Sequence, residues 1–71
     1  MNKFIPLDSD MVLGVRYHAD TRAMDIVFRT GDKYRYKRVP QEEYEGLLKA
    51  DSHGQYMHKH ILGHYEYERI D

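Results

Sequence analysis

Between positions 29 and 38 the chain places five basic side chains, Arg29, Lys33, Arg35, Lys37 and Arg38, with Tyr34 and Tyr36 interleaved among them. Lysine and arginine on a strand can neutralise phosphates, and aromatic rings on a sheet surface can stack unpaired bases at roughly 1–3 kcal/mol each. That combination points to single-stranded or looped RNA. The competing reading turns both tyrosines into the core and leaves the cations to solvate an outer face or guard a sheet edge. Histidines raise a second chemistry. His60 and His64 are four apart and would share a helix face, but Gly63 interrupts that helix and no third ligand is evident, so no metal is expected. There is no cysteine nucleophile, no glycine-rich loop joining strand to helix and no serine on a recognisable elbow, so neither a catalytic residue nor a cofactor is expected.

The elements that must carry these residues are read from periodicity. Met11, Leu13, Val15 and Tyr17 alternate with Val12, Gly14, Arg16 and His18, and Met24, Ile26 and Phe28 alternate with Asp25, Val27 and Arg29. Two-residue periods of this kind predict strands with one buried face. A third strand runs from Lys33 to Val39, and short turns at Asp20-Thr21 and around Gly31 make the three an antiparallel meander. Loop length sets which way the tyrosines point. A two-residue Gly31-Asp32 loop would turn Tyr34 and Tyr36 outward but bury Lys33, Arg35 and Lys37 beside Phe28. A three-residue Thr30-Gly31-Asp32 loop puts the tyrosines with Met24, Ile26 and Phe28 and the cations outside, and is the expected register. Phosphate contact survives that choice; base stacking by these two rings does not.

The second half predicts two helices. Pro40 suits a first helical position, Glu42 and Glu43 favour the positive end of the helix dipole, and Tyr44, Leu47 and Leu48 recur at helical spacing. Ser52-His53-Gly54-Gln55 fits a capping box, so a second helix starts near His53 and runs through Tyr56, Met57 and Ile61 to Gly63. The capping role also accounts for Ser52 beside His53. The tail from Tyr65 to Ile70 alternates again and predicts a short C-terminal strand. The fold class expected is α+β: a three-stranded antiparallel meander followed by two short helices packed on one face.

Composition bounds the rest. The chain has 71 residues with 11 Lys+Arg against 12 Asp+Glu, two Pro, seven Tyr and neither Cys nor Trp. One domain over 1–71 is expected, its core within about 9–70 and residues 1–8 a loose N-terminal segment. The longest apolar run, Met11 to Val15, is far short of the roughly 20 residues of a membrane span, so no membrane association and a cytoplasmic location are expected. The near-zero net charge hides a segregation. Residues 29–40 carry the five cations against Asp32, whereas Glu42, Glu43, Glu45 and Asp51 face a lone Lys49 in the next stretch and the tail is acidic.

One pattern is more specific. Phe28, Gly31, Tyr34, Tyr36, Val39, Pro40, Tyr44, Leu47, Ala50, Ser52, Gly54, Tyr56, Ile61, Tyr65 and Tyr67 fall in the order and spacing that resembles the KTSC domain. The resemblance covers most of the chain. It implies a small domain like those at the C-terminus of some lysyl-tRNA synthetases or standing alone, with no established activity and a suggested affinity for RNA. It also implies structural roles for Tyr34, Tyr36, Pro40, Tyr44, Gly54 and Tyr56. Two functions follow as expectations: an accessory module binding RNA or another nucleic acid through Arg29, Lys33, Arg35, Lys37 and Arg38, or a protein-interaction module whose basic strand meets an acidic partner surface. A monomer is expected over an obligate oligomer.

Overall fold

Each strand of this protein pairs antiparallel with its neighbour in sequence, and the result is one sheet in the order β1-β2-β3-β4-β5. The structure, a computed structural model, describes residues 3–70. The strands are β1 (Ile5–Pro6), β2 (Val12–His18), β3 (Ala23–Phe28), β4 (Lys33–Tyr36) and β5 (Tyr67–Arg69). Between β4 and β5 lie α1 (Gln41–Lys49) and α2 (His53–Tyr56), the latter running straight into a π-helical turn over Met57–Ile61. The α+β meander with two helices and a C-terminal strand is present. The count differs by one strand, β1.

That strand comes from the stretch expected to be loose. Ile5 pairs with Val15 and Pro6 with Gly14, while Leu7 is buried and its N–H donates to the Leu13 carbonyl at 3.0 Å. Gly14 eases the approach, because a Cβ there would stand a tight 3.2 Å from the Ile5 carbonyl oxygen. Proline at an edge position forfeits no ladder bond.

The faces of β2 also differ from strict alternation. The β2–β3 register shifts between Val12 and Gly14, and such a bulge inserts one residue and reverses the phase of what precedes it. Val12 and Val15 are both fully buried as a result, and Leu13, expected inside, is 44% exposed.

The β3–β4 loop has three residues, as expected, but is centred one position earlier in the chain. Val27 faces Lys33, Ile26 faces Tyr34 and Met24 faces Tyr36. Phe28 N–H donates to Asp32 and Gly31 N–H to Phe28, at 2.9 Å each, so the three-residue loop is Arg29 to Gly31 and not Thr30 to Asp32. Gly31 takes the left-handed φ of 97° that the loop requires. Moving the register by two residues keeps the tyrosines on the core face but changes which cation meets which acid across the sheet.

The helices cover one face of this sheet. Leu47, Met57 and Ile61 from the helical side are fully buried against Val12, Val15, Met24 and Ile26. Pro40 sits one position earlier than expected, as N-cap, its carbonyl accepting from the Glu43 and Tyr44 N–H groups. Ser52 Oγ accepts from Gln55 N–H at 3.2 Å, which opens α2 as the capping pattern requires. Leu62 N–H then reaches back five residues to the Met57 carbonyl at 2.8 Å, and Gly63 follows with φ 81°. None of the described helices is long and apolar enough to cross a membrane.

Candidate functional site

The outer face of the sheet, which no helix covers, is organised around a carboxylate. Asp25 stands in the middle of β3 on the phase opposite Met24 and Ile26, and its direct partners across the sheet are Arg16 on β2 and Arg35 on β4. Arg16 donates from Nε and Nη2 to Asp25 Oδ2 at 3.1 and 2.9 Å. Arg35 donates from Nε to Oδ1 at 2.8 Å and from Nη2 to Oδ2 at 3.1 Å. His18 Nε2 lies 2.8 Å from Oδ2. The carboxylate is thereby roofed by its own partners, and Asp25 is 0% exposed on a face that is otherwise open. Burial by itself would raise its pKa; the hydrogen bonds from Arg35, His18 and Arg16 outweigh it and hold the group at about 2. The same bonds raise the Arg35 pKa further. On the far side of the row the Arg16 guanidinium lies over the Phe4 ring, 4.2 Å from its centroid.

Beside this row is a cleft of about 470 Å³, walled by His18, Asp20, Thr21 and Ala23 from the β2–β3 hairpin and by Arg35, Lys37 and Arg38 from β4 and beyond. Three of the five predicted basic residues meet there. Lys33 is exposed on the same face at the other end of β4. Arg29 is not part of the group: it sits in the hairpin loop, and its Nε donates 2.8 Å to the Ser9 carbonyl, tying the loop to the segment before β2. Arg38 reaches the cleft through an unusual backbone, φ 57°, opposite Arg22 at φ 62°, with Val39 N–H donating to the Arg22 carbonyl at 2.8 Å where the ladder stops. Left-handed arginines cost about 1–2 kcal/mol each. Two acids of the tail approach the cations without close contact: Lys37 Nζ to Glu68 and Arg38 Nη1 to Glu66 are both at 4.0 Å, the second pair 85% and 74% exposed. Pairs of that kind are screened by water and contribute little.

The tyrosines divide. Tyr36 is in the core, and burial pushes its hydroxyl up to about 12. Tyr34 is only half-buried, with Phe28 and Tyr67 packed against it edge-on at 5.8 and 5.5 Å. It lies on the core face as expected, packed against the core cluster, and its ring also borders an open cleft. Tyr44 stacks on Tyr17 at 4.8 Å, and the Tyr17 hydroxyl donates to the Val39 carbonyl at 2.6 Å, which locks the segment around Pro40 to β2. Tyr56 donates to Glu43 at 2.6 Å across the α1–α2 interface, and burial together with that carboxylate raises its pKa to about 12. Gly54 has no left-handed backbone, and a Cβ there would make an ordinary 3.6 Å contact with Met11.

Asp25, Arg16, His18 and Thr21 escaped the sequence reading. The signal was present as phase: Arg16, Asp25 and Arg35 all occupy the polar positions of alternating strands, and an acid at the centre of a central strand needs cationic neighbours. Among the described residues no three His, Cys, Asp or Glu side chains are placed to hold a metal ion.

Comparison with known proteins agrees with this architecture. A family model described as the KTSC domain matches residues 8–65. A lysine–tRNA ligase from Nostoc sp. is 35% identical over 63 residues, 89% of this chain and 11% of the ligase. The chain therefore spans about a tenth of the length of such relatives. An uncharacterised protein from Stutzerimonas stutzeri is 34% identical over 70 residues, 97% of this chain and 99% of that protein. The crystal structure of a KTSC domain protein from Yersinia pestis superposes with a TM-score of 0.96 over the whole of both chains at 27% identity.

Proposed function

The chain belongs to the KTSC domain family, and on that premise we propose that it is a non-catalytic accessory module that binds RNA backbone through the uncovered face of its sheet. The observation that carries this reading is the convergence of Arg35, Lys37 and Arg38 with His18 and Thr21 on one cleft of that face. Guanidinium forks match phosphate oxygens two at a time, a lysine adds a mobile point charge, and the Thr21 hydroxyl can complete the anion's hydrogen bonds. Asp25 subtracts a charge from the site but immobilises Arg35, so less rotamer entropy is lost when a phosphate binds. Lys33 extends the positive strip along β4. The similarity to lysine–tRNA ligases, whose name states a tRNA substrate, supports the same class of partner.

Contacts of this type are independent of sequence and fall steeply with salt. Fluorescence anisotropy with a labelled unstructured RNA and with pooled tRNA is the test. With about four phosphates engaged, log K against log salt should have a slope near −3. The triple variant Lys33→Gln, Lys37→Gln, Arg38→Gln should lose most of the affinity, whereas Lys49→Gln, in the last turn of α1 and outside the cleft, should retain it. Absence of binding at low salt, or equal binding by the triple variant, refutes the reading.

A further inference from the structure

A second cleft lies on the other face of the sheet, beyond the end of the helical cover. It measures about 640 Å³, within the roughly 300–1,000 Å³ range of small-molecule sites. Phe28, Tyr34, Tyr36 and Tyr67 form its floor, and Leu62 and Gly63, delivered by the π-helical turn, form one wall. Tyr67 is 60% exposed although its ring touches both Tyr34 and Tyr36, at 5.5 Å each. The Tyr34 and Tyr67 rings stand at 88° to each other, an edge-to-face arrangement in which ring faces remain available for stacking.

Polar groups at the rim have opposite signs. Arg29 is held by its Nε bond to the Ser9 carbonyl, and its Nη groups make no hydrogen bond among the described residues. Asp32 is neutralised by Arg69 at 2.9 Å and accepts from the Thr30 hydroxyl at 3.0 Å. Asp10 lies on the same rim and has no such partner among the described residues. A ligand that fits is flat and aromatic, carries an anionic group for Arg29 and presents an N–H donor to Asp10.

We infer that this aromatic cleft binds a nucleotide, its base stacked on Tyr67 and Tyr34 and its phosphate on Arg29, with a preference for bases bearing an amino group. The source is either a free nucleotide or an unpaired nucleotide of an RNA strand. The inference does not depend on the basic face binding RNA, because no residue is shared between the two clefts.

Amide chemical shifts of the full ¹⁵N-labelled chain, titrated with AMP, GMP, CMP and UMP and with an unstructured RNA hexamer, test it. Saturable shifts are expected at Phe28, Arg29, Tyr34, Leu62, Gly63 and Tyr67, with UMP the weakest mononucleotide. A stack is worth roughly 1–3 kcal/mol, so Tyr67→Ala should weaken binding at least about fivefold, Tyr67→Phe should preserve it, and Arg29→Gln should weaken phosphate-bearing ligands but not nucleosides. Binding by mononucleotides identifies a free-nucleotide site, and binding by the hexamer alone identifies a strand site; both support the inference. It is overturned if no ligand shifts these amides, or if the shifts collect around Arg35 and Lys37 and vanish in the Lys33→Gln, Lys37→Gln, Arg38→Gln variant, a result that would instead support the basic face alone.

Discussion

Asp25 keeps its charge out of water because three neighbouring side chains replace the water. Two guanidiniums and an imidazole converge on its two oxygens, and their bonds hold the carboxyl at about 2 against a reference near 3.8. A carboxyl whose folded pKa lies below its unfolded pKa adds stability that is complete above about pH 5 and lost as the pH falls through the folded value; a depression of this size corresponds to about 2 kcal/mol. Chemical denaturation at a series of pH values between neutrality and 2 should therefore show a loss of that order. Asp25→Asn should destabilise the protein by about 2 kcal/mol at pH 7, since charged hydrogen bonds contribute roughly 1.5–3 kcal/mol, and should flatten the acid limb. An unchanged acid limb in the variant would move the acid sensitivity to another carboxylate. Freed from Asp25, Arg16 and Arg35 would be more mobile and no longer neutralised, so under the proposed function the RNA affinity of this variant measures which of the two matters.

At the scale of elements, the α1–α2 contact depends on a residue that helix propensity disfavours. Gly46 sits inside α1, where glycine costs about 1 kcal/mol relative to alanine. The Tyr56 ring lies directly over it, and a Cβ at Gly46 would collide with the Tyr56 hydroxyl and stand 2.8 Å from Cζ. The close approach lets that hydroxyl reach Glu43 one turn earlier, where Tyr65 also donates at 3.2 Å and His60 Nδ1 lies at 3.7 Å. Gly46→Ala should thus destabilise the fold by about 1–3 kcal/mol, as overpacking does, in spite of the better helix former. Thermal unfolding of Gly46→Ala beside Gly46→Ala, Tyr56→Leu decides the cause: relief in the double variant identifies the collision, and equal loss in both rejects it. Strand phase, the odd β3–β4 loop, the Ser52 cap and the stop at Gly63 were all legible, because each depends on residues a few positions apart. The β2 bulge and the β1 strand were not. Both depend on how Val12, Gly14 and Ile5 fit against segments distant in sequence.

Across the whole molecule the charge segregation is partly resolved within one chain. The basic strand β4 lies between Asp25 on β3 and Glu68 on β5, each of which faces Arg35 across its ladder. Lys37 and Arg38 approach Glu68 and Glu66, and Asp32 holds Arg69. The close pairing of Arg35 with Asp25 and of Arg69 with Asp32 inside one chain removes part of the attraction that would draw its basic strand to the acidic helix of another copy. Sedimentation at low and physiological salt should show a single species of 8.5 kDa; a dimer that dissociates with salt would revive pairing of the basic strand with an acidic surface.

Sequence alone determined the class of the fold, the inward Tyr36 and the outward cations, since alternation and loop parity are local and a slip by one residue would bury lysine. The pattern from Phe28 to Tyr67 also sufficed to point to the family. Tertiary structure decided which charges meet. A register shifted by two residues from the expected one sets Arg35, and not Lys37, opposite Asp25. It also decided that Arg29 leaves the basic group for the rim of an aromatic cleft, and that Tyr34 and Tyr67 remain open to a ligand. The physical reason is common to these outcomes: cross-strand partners and the reach of a helical cover are set by long-range packing, which no spacing along the chain encodes.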